Sequence, residues 1–81
     1  MITTIVLIKN SSEKMLTVVL EPYVYLFPVT PGSTIEVHVE DQPHNEPIEI
    51  EYSVDEITVY GGGIMSAWAN GTELEPQFHQ R

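Results

Sequence analysis

The chain contains no cysteine, which excludes disulfide bridges, thiolate metal centres and thiol nucleophiles together. Cations are almost as scarce. Three Lys and Arg stand against twelve Asp and Glu, for a formal net charge of −9. Such a surface repels phosphate backbones and anionic lipid, so neither nucleic acid nor membrane is expected as a partner. Long apolar runs are missing as well. The opening MITTIVLIKN is apolar only briefly and has no basic segment ahead of it, which fits neither a membrane span nor a secretory leader. Lacking cysteine and a leader, the protein is expected to be cytoplasmic.

The chain is also short. Eighty-one residues predict one domain over 1–81, and a chain of this size buries only about 60% of the surface its unfolded form exposes. Small domains usually need a staple. With disulfides excluded, the remaining routes are tight packing, self-association as a homodimer or other homo-oligomer, or a metal held by His and carboxylates.

What the sequence does contain is β structure. No segment carries sustained helical periodicity. Short β-branched and aromatic runs alternate with clusters of Gly, Pro, Asn and Asp, the pattern of an all-β domain. About seven strands are predicted: 2–8, 15–21, 23–27, 34–40, 48–52, 57–60 and 64–69. Residues 72–81 are read as a loose tail or a short edge strand. Pro31-Gly32 suits a type II turn and Asn70-Gly71 a tight hairpin turn. Asn10-Ser11-Ser12 and Asn70-Gly71-Thr72 have the form of glycosylation sequons and are read simply as turns. The expected fold is a small antiparallel β-sandwich, jelly-roll-like, or a partly open barrel.

Strict alternation marks TIEVHVE, residues 34–40. Ile35, Val37 and Val39 are expected inward, with Glu36, His38 and Glu40 outward. The same rule points Ile48, Ile50 and Tyr52 inward and Glu49 and Glu51 outward. Were these two strands paired as a hairpin, Glu36, Glu40, Glu49 and Glu51 would crowd around His38. Like charges across a ladder cost stability. An acidic face that blocks aggregation is the plain explanation, and docking of a cation or a cationic partner is the functional one.

Two aromatic stretches offer binding surfaces. In LEPYVYLF, Tyr23, Tyr25 and Phe27 share one face of an extended segment, while Val24 and Leu26 take the other. In GGGIMSAWANG, Trp68 shares a face with Ile64 and Ser66, opposite the small residues Ala67 and Ala69. Core packing is the ordinary role of such residues, and a ligand or subunit contact the alternative. The three glycines 61–63 permit either a tight turn or close approach of a ligand to the backbone. No nucleophile elbow and no phosphate loop are present.

The spacing of Gly32, His38, Glu40 and His44 resembles part of the first cupin motif, in which imidazole and carboxylate on one strand face bind a divalent transition metal. Glu40 stands where that motif has its second His, and His44 about where it has its Glu. This resemblance implies a minimal cupin-like metal-binding protein, open to enzymatic chemistry, with His38, Glu40 and His44 as ligands and His79 as a further candidate. The outward direction of His38 and Glu40 opposes it, since a cupin metal lies inside its barrel. The order Asn10 with Ser11 or Ser12, Leu20-Glu21-Pro22 followed by Tyr23, and Pro31-Gly32 is similar to a group of small bacterial all-β proteins of unknown function, which supplies no catalytic residue. The expected role is a non-enzymatic, acidic binding or assembly module without a cofactor, acting on a protein partner or a second copy through Tyr23, Tyr25, Phe27 and Trp68.

Overall fold

A computed structural model describes residues 2–77. The described residues contain eight strands and no helix. They are β1 (Thr3–Lys9), β2 (Leu16–Glu21), β3 (Tyr25–Val29), β4 (Thr34–Glu40), β5 (Glu49–Ser53), β6 (Glu56–Tyr60), β7 (Ile64–Ala69) and β8 (Thr72–Glu73). Two four-stranded sheets form, one in the order β1-β4-β7-β8 and the other β3-β2-β6-β5. The all-β expectation holds, with two packed sheets.

The core lies between the sheets, because alternation gives each central strand one apolar side. From the first sheet come Ile8, Ile35, Val37, Val39, Met65 and Ala67; from the second, Leu16, Val18, Leu20, Phe27, Val29 and Val59. Val18, Leu20, Val37, Val39 and Val59 are wholly buried, each contributing about 1.5–3 kcal/mol.

The turns follow their residue chemistry. Ser33 N–H donates to Thr30 C=O at 3.0 Å, and Gly32 takes φ +82°, as a type II turn requires. Asn70 and Gly71 both have positive φ, at 52° and 77°, and close Ala69 onto Thr72.

Several expectations are corrected. β4 and β5 do not pair. β4 lies between β1 and β7, while β5 pairs with β6 in the other sheet, because the segment 41–48, with Pro43 and Pro47, crosses between sheets instead of reversing. Glu36 and Glu40 are therefore not crowded by Glu49 and Glu51. One pair, β2 with β6, is parallel, so the sandwich is not wholly antiparallel. The third strand starts at Tyr25 and continues through Pro28 to Val29. Residues 22–24 form a turn in which Val24 takes φ 57°. Pro28 is tolerated because β3 is an edge strand. Of the two readings of 72–81, the short edge strand is present as β8, and residues 78–81 lie outside the described residues. After β8, Gln77 lies beside β3, its N–H donating to Leu26 C=O at 2.8 Å and its C=O accepting from Leu26 N–H at 3.1 Å.

Candidate functional site

Phe27 is 2% exposed and belongs to the core, so it offers no binding surface. Tyr23 and Tyr25 are half-buried against that core and stack on one another, with centroids 5.1 Å apart and planes 18° from parallel. Tyr23 Oη donates to Gly63 C=O at 2.8 Å. The turn at 22–24 precedes β3 and leaves both tyrosines packed against the core.

Trp68 is different. It lies on the outer face of the first sheet, half-buried, opposite Glu36 on β4 and Glu73 on β8. Its ring stacks on His38, with centroids 5.1 Å apart and planes 16° from parallel. Trp68 Nε1 donates to Ser66 Oγ at 2.9 Å. His38 Nε2 meets Glu36 Oε1 at 3.0 Å. Ile5 faces His38 across the β1–β4 ladder and Leu7 faces Glu36; both side chains are exposed.

The metal candidates are not gathered. His38 and Glu40 point outward on β4, as alternation predicts, and His44 sits in the crossover segment. Among the described residues no group of three His, Asp or Glu comes close enough to hold an ion. His79 lies outside the described residues. No family model, curated protein or solved structure matches this chain. What the molecule can do is therefore read from its own side chains.

The three glycines serve close approach by the chain itself. Gln42 Oε1 accepts the N–H groups of Gly62 and Gly63, at 2.9 and 3.1 Å, and Gln42 Nε2 donates to Glu46 C=O at 3.0 Å. A Cβ on Gly61 would stand 2.7 Å from Met65 Cε, and one on Gly62 2.8 Å from Glu46 Oε2. On Gly63 it would strike the Glu40 carbonyl. The run thus locks the crossover segment onto the sandwich.

Asn10 is the feature that sequence reasoning undervalued. It is 3% exposed, and its amide Nδ2 donates to the carbonyls of Lys14 and Val29, both at 2.8 Å. Its Oδ1 accepts from Ser12 N–H at 3.0 Å and Ser12 Oγ at 2.7 Å. Its backbone joins the Pro31-Gly32 turn, donating to Ser33 C=O and accepting from Gly32 N–H. An Asn two residues before a Ser was the available signal.

The most exposed apolar side chains lie outside both aromatic stretches. Among the described residues, every exposed large hydrophobic except Val24 and Ile64 lies on β1, on β5 or in the segments that border them. β1 and β5 are edge strands of their respective sheets. They flank the same side of the sandwich: one surface hollow is bordered by Lys9, Tyr52 and Ile57, another by Ile2, Thr4 and Ile48. Ile50 and Tyr52 are opposite Val59 and Ile57 on β6, so they face the core side as alternation predicts. Only Ile48, just before the strand, packs against the core. Ile50 is 53% and Tyr52 73% exposed, which corrects their expected burial. The first sheet ends at β1, and among the described residues no further strand covers them.

The outer face of β5 is acidic. Tyr60 Oη donates to Glu51 Oε1 at 2.9 Å. That bond, with the negative charges of Glu51, Glu21 and Glu49 around it, raises the Tyr60 pKa above its ordinary 10.0.

Proposed function

We propose that the protein is a small, acidic, non-enzymatic assembly module that associates with other protein chains along the side flanked by β1 and β5. One observation supports this reading above the others. The exposed apolar side chains concentrate on that side, and Ile50 and Tyr52 turn toward the core yet stay uncovered. Scattered surface hydrophobics need no explanation, whereas their gathering along two neighbouring edge strands supports an interaction surface. A chain this small also gains more from association than a large one would. The same side presents aliphatic and aromatic groups rather than a converging nucleophile and base, which supports a binding role over a catalytic one. A cytoplasmic setting belongs to the same proposal and rests on the absence of cysteine. Among the described residues no helix is long and apolar enough to cross a membrane.

Light scattering after size-exclusion chromatography, over a range of concentrations, tests the reading. The wild-type chain should show a mass above that of a monomer. Ile50→Asp, which charges an already exposed position, should return the mass to 9.1 kDa while circular dichroism keeps its β signature. A wild-type chain that stays monomeric at every concentration and also binds no peptide or protein along this side would sink the proposal.

A further inference from the structure

We infer that the partner on this side is a second copy of the chain, added to β1 as an antiparallel strand about a two-fold axis at Val6. The inference rests on the association reading above and specifies its geometry.

The backbone of β1 supplies the first argument. In an antiparallel ladder, alternate residues direct both N–H and C=O toward the neighbouring strand. Ile2 C=O accepts from Asp41 N–H at 2.8 Å, and Asn10 exchanges bonds with Ser33 and Gly32 at the other end. The register Thr3↔Glu40 through Lys9↔Thr34 runs unbroken between these points. Even-numbered residues of β1 therefore bond to β4. Thr3, Ile5, Leu7 and Lys9 direct their backbone groups out of the sheet edge, where no described strand pairs with them.

Charge supplies the second. A chain of net charge −9 meets its own copy with least repulsion where carboxylates are absent. β5 carries Glu49 and Glu51, and β3 is already paired by Gln77. β8 carries Glu73 in only two residues. β1, seven residues long with sequence TTIVLIK, has no carboxylate and ends on a lysine. Edge strands usually carry charge or proline that prevents such pairing, and β1 has neither along Thr3–Ile8.

The register follows. Pairing of the outward-directed odd residues places Ile5 opposite Leu7 of the partner subunit and Lys9 opposite Thr3 of the partner subunit. All seven residues are matched and no like charges meet. Val6 then faces Val6 of the partner subunit across the axis, in a pair that exchanges no hydrogen bonds. A closed two-fold contact of this kind satisfies both edges at once. It also lengthens the first sheet beyond β1, on the side where Ile50 and Tyr52 stand uncovered.

The absence of native cysteine makes a direct test possible. Val6→Cys should form an interchain disulfide under mild oxidation, because the two Cβ atoms meet at the axis, while Val54→Cys, which is 82% exposed, should cross-link far more slowly. Ile5→Pro removes an edge N–H without touching the β4 ladder and should convert dimer to monomer. A wild-type dimer whose Val6→Cys form cross-links no faster than Val54→Cys overturns the β1 geometry and leaves the association reading standing. That result decides the matter even where Ile5→Pro fails to fold. A wild-type chain that is monomeric but binds a TTIVLIK peptide overturns the second copy as occupant. One that is monomeric and binds nothing overturns both proposals.

Discussion

The imidazole of His38 lies nearly flat against the indole of Trp68, with ring centroids 5.1 Å apart. Trp68 is the chain's single tryptophan, so its emission reports directly on this contact. Such a stack covers one face of the indole. In His38→Ala that face opens to solvent, and the Trp68 emission maximum should move to longer wavelength at constant pH. An unchanged spectrum in that variant would show that the stack does not set the surroundings of Trp68.

Asn10 should be the least replaceable polar residue of the fold. Asn10→Ala removes the donors to the Lys14 and Val29 carbonyls and the acceptor for Ser12. Leaving buried groups without partners costs about 1–3 kcal/mol each, so a total loss of about 2–4 kcal/mol is expected in urea unfolding. Asn10→Asp keeps the acceptor and loses both donors, and it should be no better than alanine. A loss below about 0.5 kcal/mol, the range of ordinary surface changes, would mean that the network is not needed.

Gly63 and Gly71 make a contrasting pair. A Cβ on Gly63 strikes the Glu40 carbonyl, whereas one on Gly71 meets nothing within 4 Å and carries only the cost of φ +77°. Gly71→Ala should cost about 1 kcal/mol. Gly63→Ala should cost about 2–3 kcal/mol, because backbone must shift. Since 1 kcal/mol moves the midpoint of such a domain by about 4–8 °C, thermal scans should separate them clearly. Equal midpoints would show that the crossover segment yields without penalty.

Tyr60 links the acidic face of β5 to alkaline stability. Its pKa in the folded state is raised above 10.0, chiefly by the hydrogen bond to Glu51, so the fold favours the neutral phenol. That contribution is complete below the unfolded value and is lost as pH rises through the folded one. Glu51→Gln removes the charge and should shift the Tyr60 titration down toward its ordinary value. The difference in tyrosinate absorption between each protein and its Tyr60→Phe form measures it. No displacement would detach Tyr60 from Glu51.

Local chemistry was largely legible in the residues. Alternation in 34–40 correctly separates Ile35, Val37 and Val39 from Glu36, His38 and Glu40, because a two-residue period has only one way to bury its apolar side. Pro31-Gly32 and Asn70-Gly71 announce their turns through required backbone angles. Partnership between strands was not legible. IEIEY alternates as well as TIEVHVE does, yet burial depends on whether the opposite sheet extends over it, and that is a property of strand order. The parallel β2–β6 pair and the crossover at 41–48 escaped for the same reason. Of the candidate site residues, Trp68 could be assigned to a face but not matched with His38 without the β4–β7 register. Tyr23, Tyr25 and Phe27 read as extended because the turn at 22–24 has no glycine to mark it.

The hydrogen bonds of Asn10 reach beyond stability. Of the two Asn-x-Ser/Thr sequons, Asn70 stands exposed at the tip of a hairpin turn, whereas Asn10 is buried with both amide hydrogens committed to carbonyls. A sugar added at Asn10 Nδ2 replaces one of those hydrogens and needs space the interior does not have. In any glycosylating environment, modification at Asn10 and completion of this fold would compete for the same nitrogen: a chain that folds first is closed to transfer there, and a chain modified first cannot close the turn.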